Sequence, residues 1–327
     1  MIKKHFKKLV SIALSAVKIM GMSVTSFAAE NTTTTLSSIA ENTIQISSES
    51  QDSGAVVTTY DNLPLFIETV HNQLPNTTDE QLADFIIEYS GQDSTAIPSE
   101  DKLEMLNYES ISNSKSYVKI TENGDFIEVS QEEALIDTLG VDTSSDGYME
   151  LNTSFSKRKT VGSDKYFTVW SYATWLKWPA VALTDVLVIS TSGTFDDSFS
   201  ESGYVNQTFQ CTSGCSKNTY RNRSVSKTSL TSDDLTMKYS NYVPYLNFTP
   251  ISPRCDYCGG GSKDKYFKAY LKYGVITSSS CNIQASYGHK TFGVSGISVS
   301  VSAAGPSISV GVGSTISVYN GRAVTVK

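Results

Sequence analysis

Four cysteines sit at spacings that suit either a metal or a pair of disulfides. Cys211-x3-Cys215 and Cys255-x2-Cys258, the latter running into Gly259-Gly260-Gly261, have the outline of a four-thiolate zinc ribbon. In an exported chain the same four residues form one or two disulfides that staple the Tyr220–Asn247 region between them. A redox pair is a third reading, and spacing alone separates none of the three. Cys281 is the odd fifth thiol, free or a partner in either scheme. A second oxygen-rich pattern, Asp142-x-Ser144-x-Asp146-Gly147, matches the first half of a calcium loop, in which ligands alternate and glycine permits the bend. Its twelfth position is Thr153 rather than the bidentate Glu, so an Asx-rich turn explains it equally well.

Three tryptophans, Trp170, Trp175 and Trp178, fall within nine residues. Exposed, they would stack on sugar rings; buried, they fill a core. Strand alternation puts Trp170 and Trp178 on one face and Trp175 on the other. Little here supports catalysis. Beyond residue 28 the only histidines are His71 and His289, and His289 reads as a hydrogen-bonded strand residue. No Gly-x-Ser-x-Gly, His-Glu-x-x-His or phosphate-cradling loop occurs. The expectation is a non-enzymatic protein without a cofactor, structural zinc or calcium being the two that the spacings admit.

The elements that would position these residues differ along the chain. Lys3, Lys4, Lys7 and Lys8, a mostly apolar run over Leu9–Val24 and small residues at Ser26 and Ala28 have the layout of a secretory signal peptide. A secreted, extracellular protein is expected. Residues 29–60 are Ser/Thr-rich and read as a flexible spacer. Residues 61–145 read as a small acidic unit of helices and a hairpin. Leu65–Leu74 forms a short helix, Thr78 and Gln81 form a capping box, and Asn123-Gly124 suits a type I′ turn. Ser130 and Glu133 open a further helix that stops at Gly140. From residue 146 to 327 short runs rich in Val, Ile, Thr and Tyr recur between turn residues, which predicts an antiparallel β-sandwich-like domain. The fold class expected is therefore α+β.

Charge divides the chain in the same place. Ala29–Glu150 carries 24 acidic and three basic residues, a net of −21, whereas Leu151–Lys327 carries 9 and 18, a net of +9. Opposite charges attract, so the acidic part is expected to cover, chaperone or restrain the basic part. The net acidic balance argues against a nucleic-acid partner. Lys157-Arg158-Lys159 is the one tight basic run, an exposed hairpin turn or a processing site.

Thr291–Gly321 contains no charged residue over 31 positions. Ile297, Val299 and Val301 alternate with serines. After Gly305-Pro306, taken as the turn, Ile308, Val310 and Val312 resume the pattern. Such arms suit a transmembrane β-hairpin and equally a sandwich hairpin with one wet face.

Asp146-Gly147-Tyr148-Met149, Tyr172–Pro179 and Thr184-Asp185-Val186 resemble segments of an uncharacterised family of secreted Firmicutes proteins, and Tyr287-Gly288-His289 resembles a recurring strand motif. The resemblance spans roughly half the chain in pieces and implies an acidic N-terminal region before a β-rich domain, with no known activity. Two functions follow as expectations. One is a surface-binding module for a cell-surface glycan or protein, restrained by the acidic region. The other is a membrane-active protein with lipid as its partner, an acidic pro-region and an insertable Ile297–Val318 hairpin.

Overall fold

The computed structural model describes residues 27–136, 146–177, 185–211, 218–225, 235–240, 243–248, 262–292, 297–302, 305–310 and 315–327. The expected signal segment therefore lies outside the described residues, apart from its end. The chain divides into two compact units, one ending at Thr43 and one running from Ile44 to Lys327.

Within the first unit, helix α1 spans Phe27–Thr43. Within it Ser37, Asn42 and Thr43 each donate to the carbonyl four residues earlier, so these side chains are satisfied along the helix. Residues 29–60, expected to be a flexible spacer, thus hold a helix and then two strands.

The second unit opens with β1 (Gln45–Ser50) and β2 (Val56–Asp61), followed by α2 (Leu63–Gln73), α3 (Asp79–Tyr89) and α4 (Ser99–Glu104). Single turns of 3-10 helix at Ser94–Ala96 and Met105–Asn107 lead into β3 (Ser110–Ile120), β4 (Phe126–Val129) and α5 (Gln131–Ile136). Then come β5 (Gly147–Val161), β6 (Asp164–Lys177), β7 (Asp185–Thr191), β8 (Thr194–Phe195), β9 (Ser202–Cys211) and β10 (Asn218–Val225). The remainder is β11 (Leu235–Ser240), β12 (Val243–Phe248), β13 (Ser262–Thr277), β14 (Cys281–Phe292), β15 (Ile297–Ser302), β16 (Gly305–Val310), β17 (Thr315–Asn320) and β18 (Val324–Val326). The protein is α+β, with a small helix-and-hairpin region preceding an antiparallel β-rich part.

A ten-stranded sheet runs β1-β2-β3-β5-β6-β13-β9-β10, with β4 on β3 and β8 on β13. A six-stranded sheet runs β11-β12-β7-β14-β17, with β18 on β14, and β15–β16 form a third, two-stranded sheet. The boundary expected at 145/146 does not separate compact units. β3, from the acidic part, pairs with β5 along nine residues, Ser112–Ile120 against Gly147–Phe155. A pairing between distant segments leaves no mark in local composition.

The helices form as their local chemistry dictates. Pro64 sits in the first turn of α2, where its missing N–H costs nothing. At the start of α3, Gln81 N donates to Thr78 Oγ1 at 3.3 Å and Thr78 N to Gln81 Oε1 at 3.0 Å, which completes the capping box. Before α5, Glu133 N donates to Ser130 Oγ. The β3–β4 turn departs from expectation. Its strands close at Ile120 and Phe126, and of Asn123 and Gly124 only Gly124 has positive φ (87°), so a five-residue loop replaces the two-residue type I′ turn.

The two large sheets pack through one apolar layer. Odd-numbered residues of β6 and β13 (Phe167, Val169, Ala173, Trp175; Phe267, Ala269, Leu271, Tyr273, Val275) meet Val186–Ile189, Phe248, Ile283, Ala285 and Tyr287 of the second sheet. Phe248 stacks on Phe267 with centroids 5.2 Å apart, and Tyr273 donates its hydroxyl to Ile189 O at 2.6 Å. Phe267 is fully buried at this contact. Phe267→Ala is expected to cost about 3–5 kcal/mol, read from a urea-unfolding midpoint at neutral pH.

Candidate functional site

The other face of the ten-stranded sheet is also buried, but it is polar. Strand alternation carries Asn152, Ser154 and Ser156 on β5, Thr168, Trp170, Tyr172 and Thr174 on β6, and Lys268, Tyr270 and Lys272 on β13. The register aligns Ser154 with Trp170 and Trp170 with Lys272, and places Ser202 beside Lys272 across β9. Two lysines four residues apart on a central strand need counter-charges if they are to be covered. The segment between β2 and β3 supplies them.

That segment, α2 to Asn107, buries Leu63, Phe66, Val70, Leu82, Ile86, Ile87 and Met105. Polar groups join it to the sheet. Lys272 Nζ lies 2.6 Å from Asp101 Oδ1 and 2.5 Å from Glu104 Oε2, and Ser202 Oγ donates to Asp101. Lys268 Nζ lies 2.5 Å from Asp93 Oδ2 and also contacts Thr95 Oγ1. Gln92, buried, accepts from Trp170 Nε1 at 2.9 Å and from Ser154 Oγ at 3.1 Å through one oxygen, and donates to Ser90 Oγ. The Tyr172 hydroxyl accepts from Asp93 N and donates to Glu150, and burial, ahead of the Glu150 and Asp93 charges, pushes its pKa well above the usual phenol value. Tyr108 stacks on Trp170 at 5.9 Å. Asn152 Nδ2, Thr174 Oγ1 and Asn206 Oδ1 are buried beneath this cover without a protein partner. The acidic segment is thus a lid of carboxylates on lysines, tethered to the sheet at both ends.

A second polar cluster joins β7 and β14 at the edge of the apolar layer. His289 Nδ1 is 2.7 Å from Asp185 Oδ1, Tyr287 donates its hydroxyl to Asp185 Oδ2 at 2.6 Å, and Trp175 Nε1 donates to Tyr287 at 2.9 Å. All four residues are buried. Burial, ahead of the Asp185 charge, pushes the Tyr287 phenol well above its usual pKa. His289 is the hydrogen-bonded strand residue the sequence indicates.

Beyond His289 lies the uncharged stretch. β15 and β16 pair as Ile297–Val310, Val299–Ile308 and Val301–Pro306, with Ser298–Ser309 and Ser300–Ser307 between them. Aliphatic residues thus oppose aliphatic residues, and serines oppose serines. The pair lies against β7, β12 and β14. Gly305-Pro306, expected to form the turn, belongs to the second arm, because pairing reaches Ser302–Gly305. Val312 lies outside the described residues.

Several expected sites change. Trp170 and Trp175 are 0% and 1% exposed, on opposite faces of β6, so they offer no platform to a sugar. Each indole N–H is instead satisfied inside the protein. Trp178 lies outside the described residues. So do Cys215, Cys255 and Cys258, while Cys211 is described only as the end of β9, opposite Ser262. Cys281 is buried and free, and burial raises its pKa against a bond from Thr191. Of the calcium pattern, Asp142 and Ser144 lie outside the described residues, and Asp146 pairs with Lys119 at 2.6 Å. Among the described residues no group of three His, Cys, Asp or Glu could hold a metal ion. Lys157-Arg158-Lys159, expected in an exposed turn, lies within β5 at a bulge, and Arg158 pairs with buried Asp196 at 2.6 Å. A protease would have to open the sheet to cut there.

No helix among the described residues is long and apolar enough to cross a membrane, which says nothing of strands. No family model and no curated protein matches the chain. Among solved structures it is similar to the membrane-inserted form of the NetB toxin of Clostridium perfringens, at 7% identity and a TM-score of 0.17, over 64% of this chain and 95% of that one. A score at that level carries no argument.

Two predictions follow from the lid. Lys272→Met leaves Asp101 and Glu104 without their cation, and is expected to cost about 3–5 kcal/mol in urea unfolding. Lys272→Met combined with Asp101→Asn and Glu104→Gln recovers most of that loss. The second concerns pH. Burial pushes the Asp93 carboxyl up, but the Lys268 charge and the bonds from Lys268 and Thr95 outweigh it and hold its pKa below the usual range. Asp196 is lowered in the same way, burial being outweighed by Ser198 and Arg158. A carboxylate depressed by folding stabilises the fold fully above its unfolded pKa, and that contribution is lost as pH falls through the folded value. The urea midpoint is expected to fall below about pH 4, and Asp93→Asn to flatten the curve there.

Proposed function

We propose that this is an exported, non-enzymatic, membrane-active protein whose uncharged hairpin enters a lipid bilayer while the acidic lid restrains the sheet. The observation that carries the reading is the hairpin's position and content. It is inserted between β14 and β17, which are adjacent partners, and 22 residues, 293–314, separate the ends of those strands without a single charge. Register Ser302–Gly305 divides them into two arms of ten residues, 293–302 and 305–314. A strand tilted across a bilayer needs about 9–11 residues. Lys290 and Arg322 are the nearest charges on either side.

The lid supports the restraining role. Its contact with the sheet includes the ion pairs of Asp93, Asp101 and Glu104, and the Asp93 contribution is lost in acid as an apolar layer's is not. Because the lid is tethered through β2 and β3, release would be a hinge opening or a cut within the lid, not the removal of residues 61–145 as a pro-region. The alternative, a binding module for a surface glycan, loses Trp170 and Trp175 to the interior.

The test is dye release from anionic and neutral liposomes by the purified protein, before and after limited proteolysis. Val310→Lys is expected to reduce release at least tenfold without altering thermal unfolding, because a lysine near the bilayer midplane on the lipid face costs about 2–4 kcal/mol. Ser309→Lys, one residue away on the opposite face, is expected to retain it. Equal release by both variants would contradict the reading, as would no release by the unaltered protein under any condition.

A further inference from the structure

The registers of two separate sheets contain a coincidence. At the end of β14, Phe292 pairs with Thr315. Stepping five residues outward along each strand lands on Ile297 and Val310, which are themselves the first cross-strand pair of the β15–β16 sheet. Four residues separate Phe292 from Ile297, and four separate Val310 from Thr315. The connecting segments are therefore equal in length, and the last pair of the β14–β17 ladder, Phe292–Thr315, is in step with the β15–β16 ladder although the two belong to different sheets. A difference of a single residue in either connector would have destroyed this match, and would have moved every side chain of one arm to the other face.

The β14–β17 ladder itself does not hold this register throughout. From Ser286–Asn320 to Lys290–Ile316 it runs one residue out, and a bulge at Thr291 brings it into line at Phe292–Thr315. The shift thus falls immediately before the uncharged arms, one residue after Lys290. Bulges concentrate at the rims of barrels, where strands change direction or environment.

We infer that each copy of this protein contributes one continuous β-hairpin to a closed membrane barrel, with β14 and β17 as its base in water and 293–314 as its spanning part, paired in the register that Phe292–Thr315 sets. Neighbouring copies must pair its outer edges, because a lone hairpin would leave edge N–H and C=O groups unsatisfied in hydrocarbon. The inference rests on the proposed membrane activity and adds which strands carry the crossing and where it begins. Stepping outward from Phe292–Thr315 in that register reaches the existing Ile297–Val310 pair after four residues on each side. No hydrogen bond of β15–β16 has to be broken for this. The hairpin moves as a unit away from β7, β12 and β14, and its own register is unchanged. Ten residues per arm at about 3.4 Å each give about 34 Å, or about 24 Å of depth at a 45° tilt, close to the apolar band of membrane barrels. The partner is thus the hydrocarbon core of a bilayer, entered by a preformed tip.

The experiment is a register-compensation series in the full-length protein, read by dye release from liposomes. Deleting Gly296 alone leaves Ile297–Ser302 paired with Gly305–Val310 but throws that pair one residue out of step with Phe292–Thr315. Deleting Gly296 together with Gly311 restores the step. The same logic applies to one alanine inserted after Gly296, alone or with one inserted after Val310, which lengthens the arms and so separates register from span. Continuity predicts at least a tenfold loss of release for each single change and recovery to within about threefold for each matched pair, with equal thermal midpoints. If the single and paired variants release alike, or if the pairs remain as defective as the singles, the continuous hairpin is wrong. The membrane reading would still stand on the contrast between Val310→Lys and Ser309→Lys. If a deletion variant does not fold, the insertion pair decides. No release by the unaltered protein would remove both.

Discussion

Lys268 and Lys272 are buried on a central strand of a ten-stranded sheet, and that constraint organises the rest of the molecule. An antiparallel sheet can leave one face in water, but here both faces are buried. One face of this one is aliphatic and aromatic and closes on a second sheet, which is the ordinary solution. The other face carries lysines, tyrosines, asparagines and serines, and only a cover with matching charge can dry it. Asp93, Asp101 and Glu104 provide that charge from the segment between β2 and β3. Three of the 24 acidic residues of Ala29–Glu150 and two of the 18 basic residues of Leu151–Lys327 meet in this contact.

The two covers differ in how they respond to conditions. Burial of Phe248, Phe267, Trp175 and Tyr287 does not depend on the charge of a carboxylate, whereas the Asp93 contribution to the lid does. The Asp185–His289 pair and the Tyr287 bond tie β14 to β7 beside the apolar layer, which fixes the strand from which the uncharged hairpin departs. The sandwich, the polar lid and the charge-free extension lie in one compact unit but are held by different kinds of contact. Local opening of one need not unfold the others.

Much of this was legible in the sequence, and the misses have physical causes. The capping box at Thr78–Gln81 and the separation of Trp170 from Trp175 by strand alternation depend on neighbours a few residues away, and both stand. The spacer over 29–60 did not, because β1 and β2 pair with each other and with the distant β3, which composition cannot show. The expected boundary at 145/146 failed for the same reason, as β3 and β5 are remote in sequence. Lys268 and Lys272 could have been found. In Phe267–Tyr273 the apolar residues alternate with Lys, Tyr and Lys, the pattern of a strand with one apolar and one charged face. Gln92 carries no such signal, since its partners are Trp170 and Ser154. The shared register of the hairpin and its base was also beyond sequence alone, because it requires two pairings at once.

The central claim, that 293–314 crosses a bilayer, is tested most directly by conductance across a planar lipid membrane. With purified protein on one side, before and after limited proteolysis, discrete current steps of uniform size are predicted, and Val310→Lys should abolish them. A membrane that stays silent while the protein sediments with liposomes of the same lipids would contradict the account. The protein would then bind lipid surfaces without entering them.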